Sequence, residues 1–154
     1  MVCDPLGFEI VDCVFTRREQ DVRGVVGQDS VYLFGHVAIE DAKIAILGLT
    51  YRPGVKEIRA SPAISISQEL SELNAEVFGI DPLLDSFEEF DLQPIEQDTL
   101  YEVSVDGLIL VTPHEEFERI RWTELDDPAV IIDGRASLED LETDSWIYTI
   151  GSGK

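Results

Sequence analysis

Arg52, Arg59 and Arg135, with Lys56 between the first two, are the residues whose type and spacing promise chemistry. The first two follow the apolar run KIAILG, and the third follows AVIID. A guanidinium presents planar N–H forks that match the oxygens of a carboxylate or phosphate, and the start of a helix offers further N–H groups to the same kind of ligand. Ser61-Pro62 reads as such a start, an N-cap side chain followed by proline at the first helical position. The chain holds 11 Lys and Arg against 32 Asp and Glu, so cations gathered where apolar runs end imply an anionic ligand. Tyr51, beside the first arginine, reads equally as a ring stacked on that ligand or as a wedge against the core. Arg59 has Glu57 nearby and Arg135 has Asp133, so local ion pairs compete with ligand binding at both positions.

Other reactive side chains carry less. His114, followed by Glu115 and Glu116, reads as a helix-start residue rather than a base. Asp81 precedes Pro82 and reads as a turn cap in preference to a ribose acceptor. Cys3 and Cys13 are the only cysteines. They fit no metal-ligand spacing and no disulfide framework, so they are expected to be inert thiols in a reducing cytoplasm. No catalytic residue and no metal site is expected.

The elements that must position these residues are legible from Lys43 onward. KIAILG (43–48), EVFGIDP (76–82), DGLILVTP (106–113), AVIIDGR (129–135) and SWIYTIG (145–151) are short apolar runs of the kind buried parallel strands show. A helix is expected from Pro62 with Asn74 as its C-cap, and a second at HEEFERI; acidic turns and short helical pieces fill the stretch from Leu83 to Val105. Strands alternating with helical segments predict a doubly wound α/β domain, a parallel sheet with helices on both faces. Ligands of such sheets bind outside the carboxyl ends of the strands. Those ends are Gly48 to Ser61, Asp81, Thr112 to His114, and Asp133 to Arg135. The turn after KIAILG lacks the second and third glycines of G-x-G-x-x-G, so the domain reads as Rossmann-like without the NAD loop. Residues 1–41 form a separate extension, with strands expected at FEIVDCVF and SVYLFGHVAI, and 42–154 form the ligand-binding domain.

Global composition narrows the partners. The formal net charge of −21 repels nucleic acid and anionic membranes, and the acids are scattered among good strands rather than gathered in a tail. Such a surface suits concentrated salt, where screening relieves self-repulsion. No apolar run reaches the roughly 20 residues of a membrane span, and the acidic N-terminus is unlike an export signal, so a cytoplasmic protein is expected.

Several blocks in register carry a resemblance. "KIAILGLTYRPGVKEIRASPAISISQELSELNAEVFGIDP" resembles the opening of the C-terminal domain of the UDP-glucose/GDP-mannose dehydrogenase family, written there as K-x-A-x-L-G-L-x-[FY]-K-x-x-x-x-D-x-R-x-S-P-A and closed by D-P. "DGLILVTPHEEFERIRWTEL" and "AVIIDGR" resemble later blocks of that domain, and the similarity covers about residues 42–151. The resemblance implies a domain that grips the nucleotide diphosphate of a nucleotide-sugar in an NAD-dependent 6-dehydrogenase. It implies that Tyr51 and Arg52 match the family's aromatic-Lys pair, and that Arg59 and Arg135 match its two arginines near the substrate. Position 52 departs from the family's lysine, and Glu57-Ile58 replaces its D-x. Neither Cys3 nor Cys13 matches the family's nucleophilic cysteine segment, and the NAD fingerprint is missing. The expectation is therefore a nucleotide-sugar-binding domain that binds no NAD and oxidises nothing alone. Two alternatives stand beside it: a degenerate domain kept for protein–protein contact through residues 1–41, and one subunit of a dehydrogenase whose NAD-binding catalytic half is a separate chain.

Overall fold

The computed structural model describes residues 32–33, 37–125, 128, 130–138 and 140–149. Six parallel strands form its sheet: β3 (Lys43–Leu47), β4 (Glu76–Ile80), β5 (Gln93–Pro94), β6 (Gly107–Leu110), β7 (Val130–Asp133) and β8 (Trp146–Thr149). Their spatial order is β5-β4-β3-β6-β7-β8. The chain winds outward one way from β3 to β5, then returns to the centre and winds the other way from β6 to β8. This is the doubly wound order with its switch point between β3 and β6. The expected fold class holds.

Alternation along the buried strands builds two cores. Ile44 and Ile46 of β3, with Ile109 of β6 and Val130 and Ile132 of β7, face one side and pack with Ala63, Ile66 and Leu70. Those three lie on helix α1 (Pro62–Glu72). Ala45 and Leu47, with Phe78, Leu108, Leu110 and Ile131, face the other side and meet Leu100, Phe117 and Leu125. Successive strand residues point to opposite faces, so strands buried on both sides are apolar throughout, which is why these runs stood out in the sequence.

α1 begins as its sequence dictates. Ser61 is extended, its Oγ accepts the Ala63 amide at 3.3 Å, and Pro62 sits in the first turn. The expected end is one residue off. Leu73 is the C-cap, and Asn74 lies beyond it at φ +67. There Asn74 N–H donates to Ser71 O and Ala75 N–H to Leu70 O, both at 3.0 Å, which is the paired closure of a left-handed helix end.

Two expectations need correction. The second helix is a short 3-10 turn over Glu115–Arg119; its buried Phe117 is followed at a three-residue interval by buried Ile120, and that period suits the tighter helix. A second 3-10 turn, Gln97–Tyr101, buries Leu100 on the same face and is one of the short helical pieces expected there. SVYLFGHVAI is not one strand: it contains β1 (Tyr32–Leu33) and β2 (Val37–Ala38), paired antiparallel. The strand expected at FEIVDCVF lies outside the described residues. No helix among the described residues is long and apolar enough to cross a membrane.

Candidate functional site

Register makes the carboxyl ends of the strands level. Leu47 pairs with both Ile80 and Leu110, Leu110 with Asp133, and Asp133 with Thr149. The loops after β3, β4, β6 and β7 therefore leave from one rim. At the switch point Gly48 has φ +85 and lies so close to Thr112 that a Cβ would collide with the threonine's backbone oxygen. Glycine is required there for both the left-handed conformation and the close approach.

A buried polar cluster fills the space behind that contact. Asp81 Oδ2 accepts the amides of Leu49 (2.7 Å) and Thr50 (3.1 Å), and Oδ1 accepts the amide of Leu83 (2.8 Å). His114 Nε2 stands 2.9 Å from Asp81 Oδ2 and 2.8 Å from Thr50 Oγ1. The Thr50 hydroxyl donates to Arg52 O at 3.3 Å, and the Thr112 hydroxyl donates to Thr50 O at 2.5 Å. Asp81, Thr50, Thr112 and His114 are all buried, and among the described residues no buried side-chain polar atom lacks a partner. Burial pushes the Asp81 carboxyl up, but the bonds from His114, Leu49 and Leu83 together outweigh it and hold the group below its ordinary value of 3.8.

From this base the Tyr51–Ala60 loop rises. Tyr51 N–H donates to Glu57 O at 2.7 Å, and Val55 N–H donates to Arg52 O at 3.4 Å, closing a tight turn around Pro53 and Gly54. Gly54, at φ +73, donates its amide to His114 Nδ1 at 3.3 Å. Lys56 forms an ion pair with Asp85 from the turn after β4. Arg135 leaves the end of β7 beside this loop. Its Nε donates to Val111 O at 3.2 Å and its Nη2 to Tyr51 O at 3.4 Å. The Asp133 carboxylate takes the backbone amides of Arg135 (3.1 Å) and Leu138 (2.8 Å).

The rim thus unites Tyr51, Arg52 and Arg135. Tyr51 is 39 % exposed, which argues against the core wedge. Arg52 and Arg59 are exposed, and among the described residues neither takes part in an ion pair, Glu57 included. Arg59 stands at the far end of the loop, two residues before the N-cap. Asp81 does cap its turn as expected. His114 does begin its 3-10 turn, yet its side chain is a buried hub that sequence reasoning missed. Its partners lie 33 to 64 positions away, and local spacing carries no signal for them. Among the described residues no group of His, Cys, Asp or Glu is placed to hold a metal ion.

Comparison with known proteins agrees with this geometry. Residues 45–140 match the profile of the UDP-glucose/GDP-mannose dehydrogenase family, UDP binding domain. A UDP-glucose 6-dehydrogenase of Rickettsia conorii is 32 % identical over 93 % of this chain and 35 % of its own length. A UDP-N-acetyl-D-mannosamine dehydrogenase of Methanococcus vannielii is 33 % identical over 58 % of this chain and 20 % of its own. The solved UDP-D-ManNAc dehydrogenase of Pyrococcus horikoshii superposes with a TM-score of 0.58 at 26 % identity, covering 74 % of this chain and 26 % of that one. The chain thus spans about a third or less of the length of these relatives.

Proposed function

Since this chain belongs to the UDP-glucose/GDP-mannose dehydrogenase family through its UDP-binding domain, we propose that its rim grips the diphosphate of a nucleotide-sugar through Arg52, Arg135 and the loop backbone, with Tyr51 against the ligand and Arg59 at the loop's far end. The observation that carries this is the state of the arginines. In a chain of net charge −21, Arg52 is exposed at the switch point with no carboxylate paired to it among the described residues. Arg135 is held at the same rim by carbonyls of Val111 and Tyr51. Those carbonyl bonds orient the Arg135 guanidinium along the rim beside the loop that carries Arg52.

On this reading the oxidation step belongs to residues other than these. The 154 residues contain no G-x-G-x-x-G fingerprint, and the first amides after β3, which meet the pyrophosphate in dinucleotide-binding turns, already donate to Asp81. A second anion at that spot would face the buried carboxylate. The occupied amides favour a nucleotide-sugar held farther out by side chains over NAD at this turn.

Calorimetric titration with UDP-glucose, in dilute buffer and in concentrated salt because the acid excess reads as salt adaptation, tests the proposal. Arg52→Ala and Arg135→Ala should each weaken binding by about tenfold to a hundredfold, the worth of a charge-assisted hydrogen bond to phosphate. Absence of heat with UDP- and GDP-sugars up to millimolar concentration in both media would sink it.

A further inference from the structure

His114 is a positioning residue for this grip, we infer, holding the turn that carries Arg52 through an acceptor nitrogen that exists only in the neutral imidazole. The inference rests on the nucleotide-binding reading above and adds a named dependence to it. The tautomer follows from the hydrogen bonds. Gly54 N–H can only donate, so Nδ1 must be the lone-pair nitrogen. The ring proton is then on Nε2, facing Asp81 Oδ2 and Thr50 Oγ1. Thr50 spends its own proton on Arg52 O, which leaves its oxygen free to accept. Every donor in the chain Gly54, His114, Thr50, Arg52 thereby has an acceptor.

Both ends of the turn depend on this ring. Arg52 O is fixed by Thr50, whose hydroxyl oxygen meets Nε2, and the tip of the turn is fixed at Gly54 by Nδ1. The ring is 2 % exposed and packs edge-on against Phe117 at 5.6 Å. It has no room to swing and find other partners. The charged and titratable groups around it are Asp81 from the end of β4, Arg52 and Lys56 from the loop, and Glu115 and Glu116 from its own turn; of these only Asp81 is buried with it.

Protonation divides the two sides. At Nε2 the Asp81 carboxylate accommodates an imidazolium, whereas at Nδ1 a new N–H points at the N–H of Gly54. Two donors cannot share that position, so the tip must leave and take the backbone of Arg52 with it. The nucleotide grip therefore weakens once the ring takes up a second proton.

The test is affinity for UDP-glucose from about pH 8 to about pH 5 on the full chain. Its diphosphate is esterified at both ends and keeps its charge, unlike a terminal phosphate with a second ionisation near about pH 6. Wild-type affinity should fall about tenfold across the range, the worth of one lost hydrogen bond. Two variants separate the halves of the ring. His114→Asn puts a carbonyl where Nδ1 was but gives up the Nε2 contacts with Asp81 and Thr50, so its affinity, whatever its level at high pH, should stay flat to low pH. His114→Gln keeps a donor toward Asp81 but offers Gly54 no acceptor, and should bind about tenfold more weakly at every pH. If wild-type affinity is flat, or His114→Asn falls in parallel with it, the positioning role is overturned. Absence of binding at any pH overturns the nucleotide reading instead. Should either variant fail to fold, the Gly54 amide resonance of the labelled wild type decides: it must shift with the midpoint of the affinity change, and an unresponsive amide overturns the inference.

Discussion

Replacing Asp81 by asparagine preserves shape and removes the charge from the cluster under the loop. Asp81 accepts three backbone amides, two through Oδ2 and one through Oδ1, and faces His114 Nε2 as well. Asparagine has one acceptor oxygen. Its best orientation keeps that oxygen toward Leu49, Thr50 and His114 and turns the amide nitrogen toward Leu83, where two donors then meet. Three charge-assisted bonds become neutral ones at about 1 kcal/mol each, and one amide loses its acceptor at about 1–3 kcal/mol, so the variant should lose about 4–6 kcal/mol. A domain of this kind has about 5–15 kcal/mol in total, so above the low end of that range it remains folded at neutral pH. Urea unfolding followed by the fluorescence of Trp122 and Trp146 measures this as a lower midpoint at unchanged slope. The dependence on pH is the sharper check. The folded carboxyl lies below its ordinary 3.8, so its stabilisation is complete above the unfolded value and is lost as pH falls through the folded one. The gap between wild type and Asp81→Asn should shrink as pH falls below about 4. It should also survive about 1 M salt, because buried charges are little screened. A gap that stays the same at about pH 2.5, or one below about 1 kcal/mol at neutral pH, would refute the assignment of the cluster's stability to this carboxylate.

Gly48→Ala should destabilise by at least about 2 kcal/mol, since it adds a Cβ at φ +85 against the Thr112 backbone; thermal unfolding reads this directly, and a wild-type melting temperature would contradict the close approach. Ser61→Ala should cost about 1 kcal/mol by removing the cap on Ala63 N–H, while Ser61→Asp should hold or raise stability. Neither change at Ser61 should alter the pH profile of binding, which separates helix capping from the His114 device.

What the sequence disclosed, and what it hid, follows from the range of the forces involved. KIAIL, EVFGI, GLIL and VIID were legible because burial on both faces leaves no polar position, and the Ser61-Pro62 helix start because capping is a local matter. The order of the rim loops followed from the fold class. β5 was invisible: two residues, Gln93 and Pro94, both exposed, carry neither period nor propensity. The stretch after Pro113 read as a helix because acidic and apolar residues alternate there, although its single buried side chain, Phe117, gives an α-helix too little to pack. Tyr51, Arg52 and Arg135 stood out by charge and by the ends they occupy. His114 did not, because a histidine's meaning lies in the two groups its nitrogens touch, and Asp81 and Gly54 come to it from other parts of the chain.

Asp81 has one further consequence. By satisfying the innermost amides itself, it splits the rim into two strata with different freedom to change. The inner stratum of Asp81, Thr50, Thr112 and His114 is closed on itself, so a substitution there spends folding stability. The outer stratum of Tyr51, Arg52 and Arg59 is exposed, and Tyr51 and Arg52 are tied down through main-chain atoms. Those side chains can be exchanged with the fold left standing. If the proposed grip is right, selection can retune which ligand is held without renegotiating how the loop is built, which is the architecture expected of a scaffold that drifts readily between chemically related ligands.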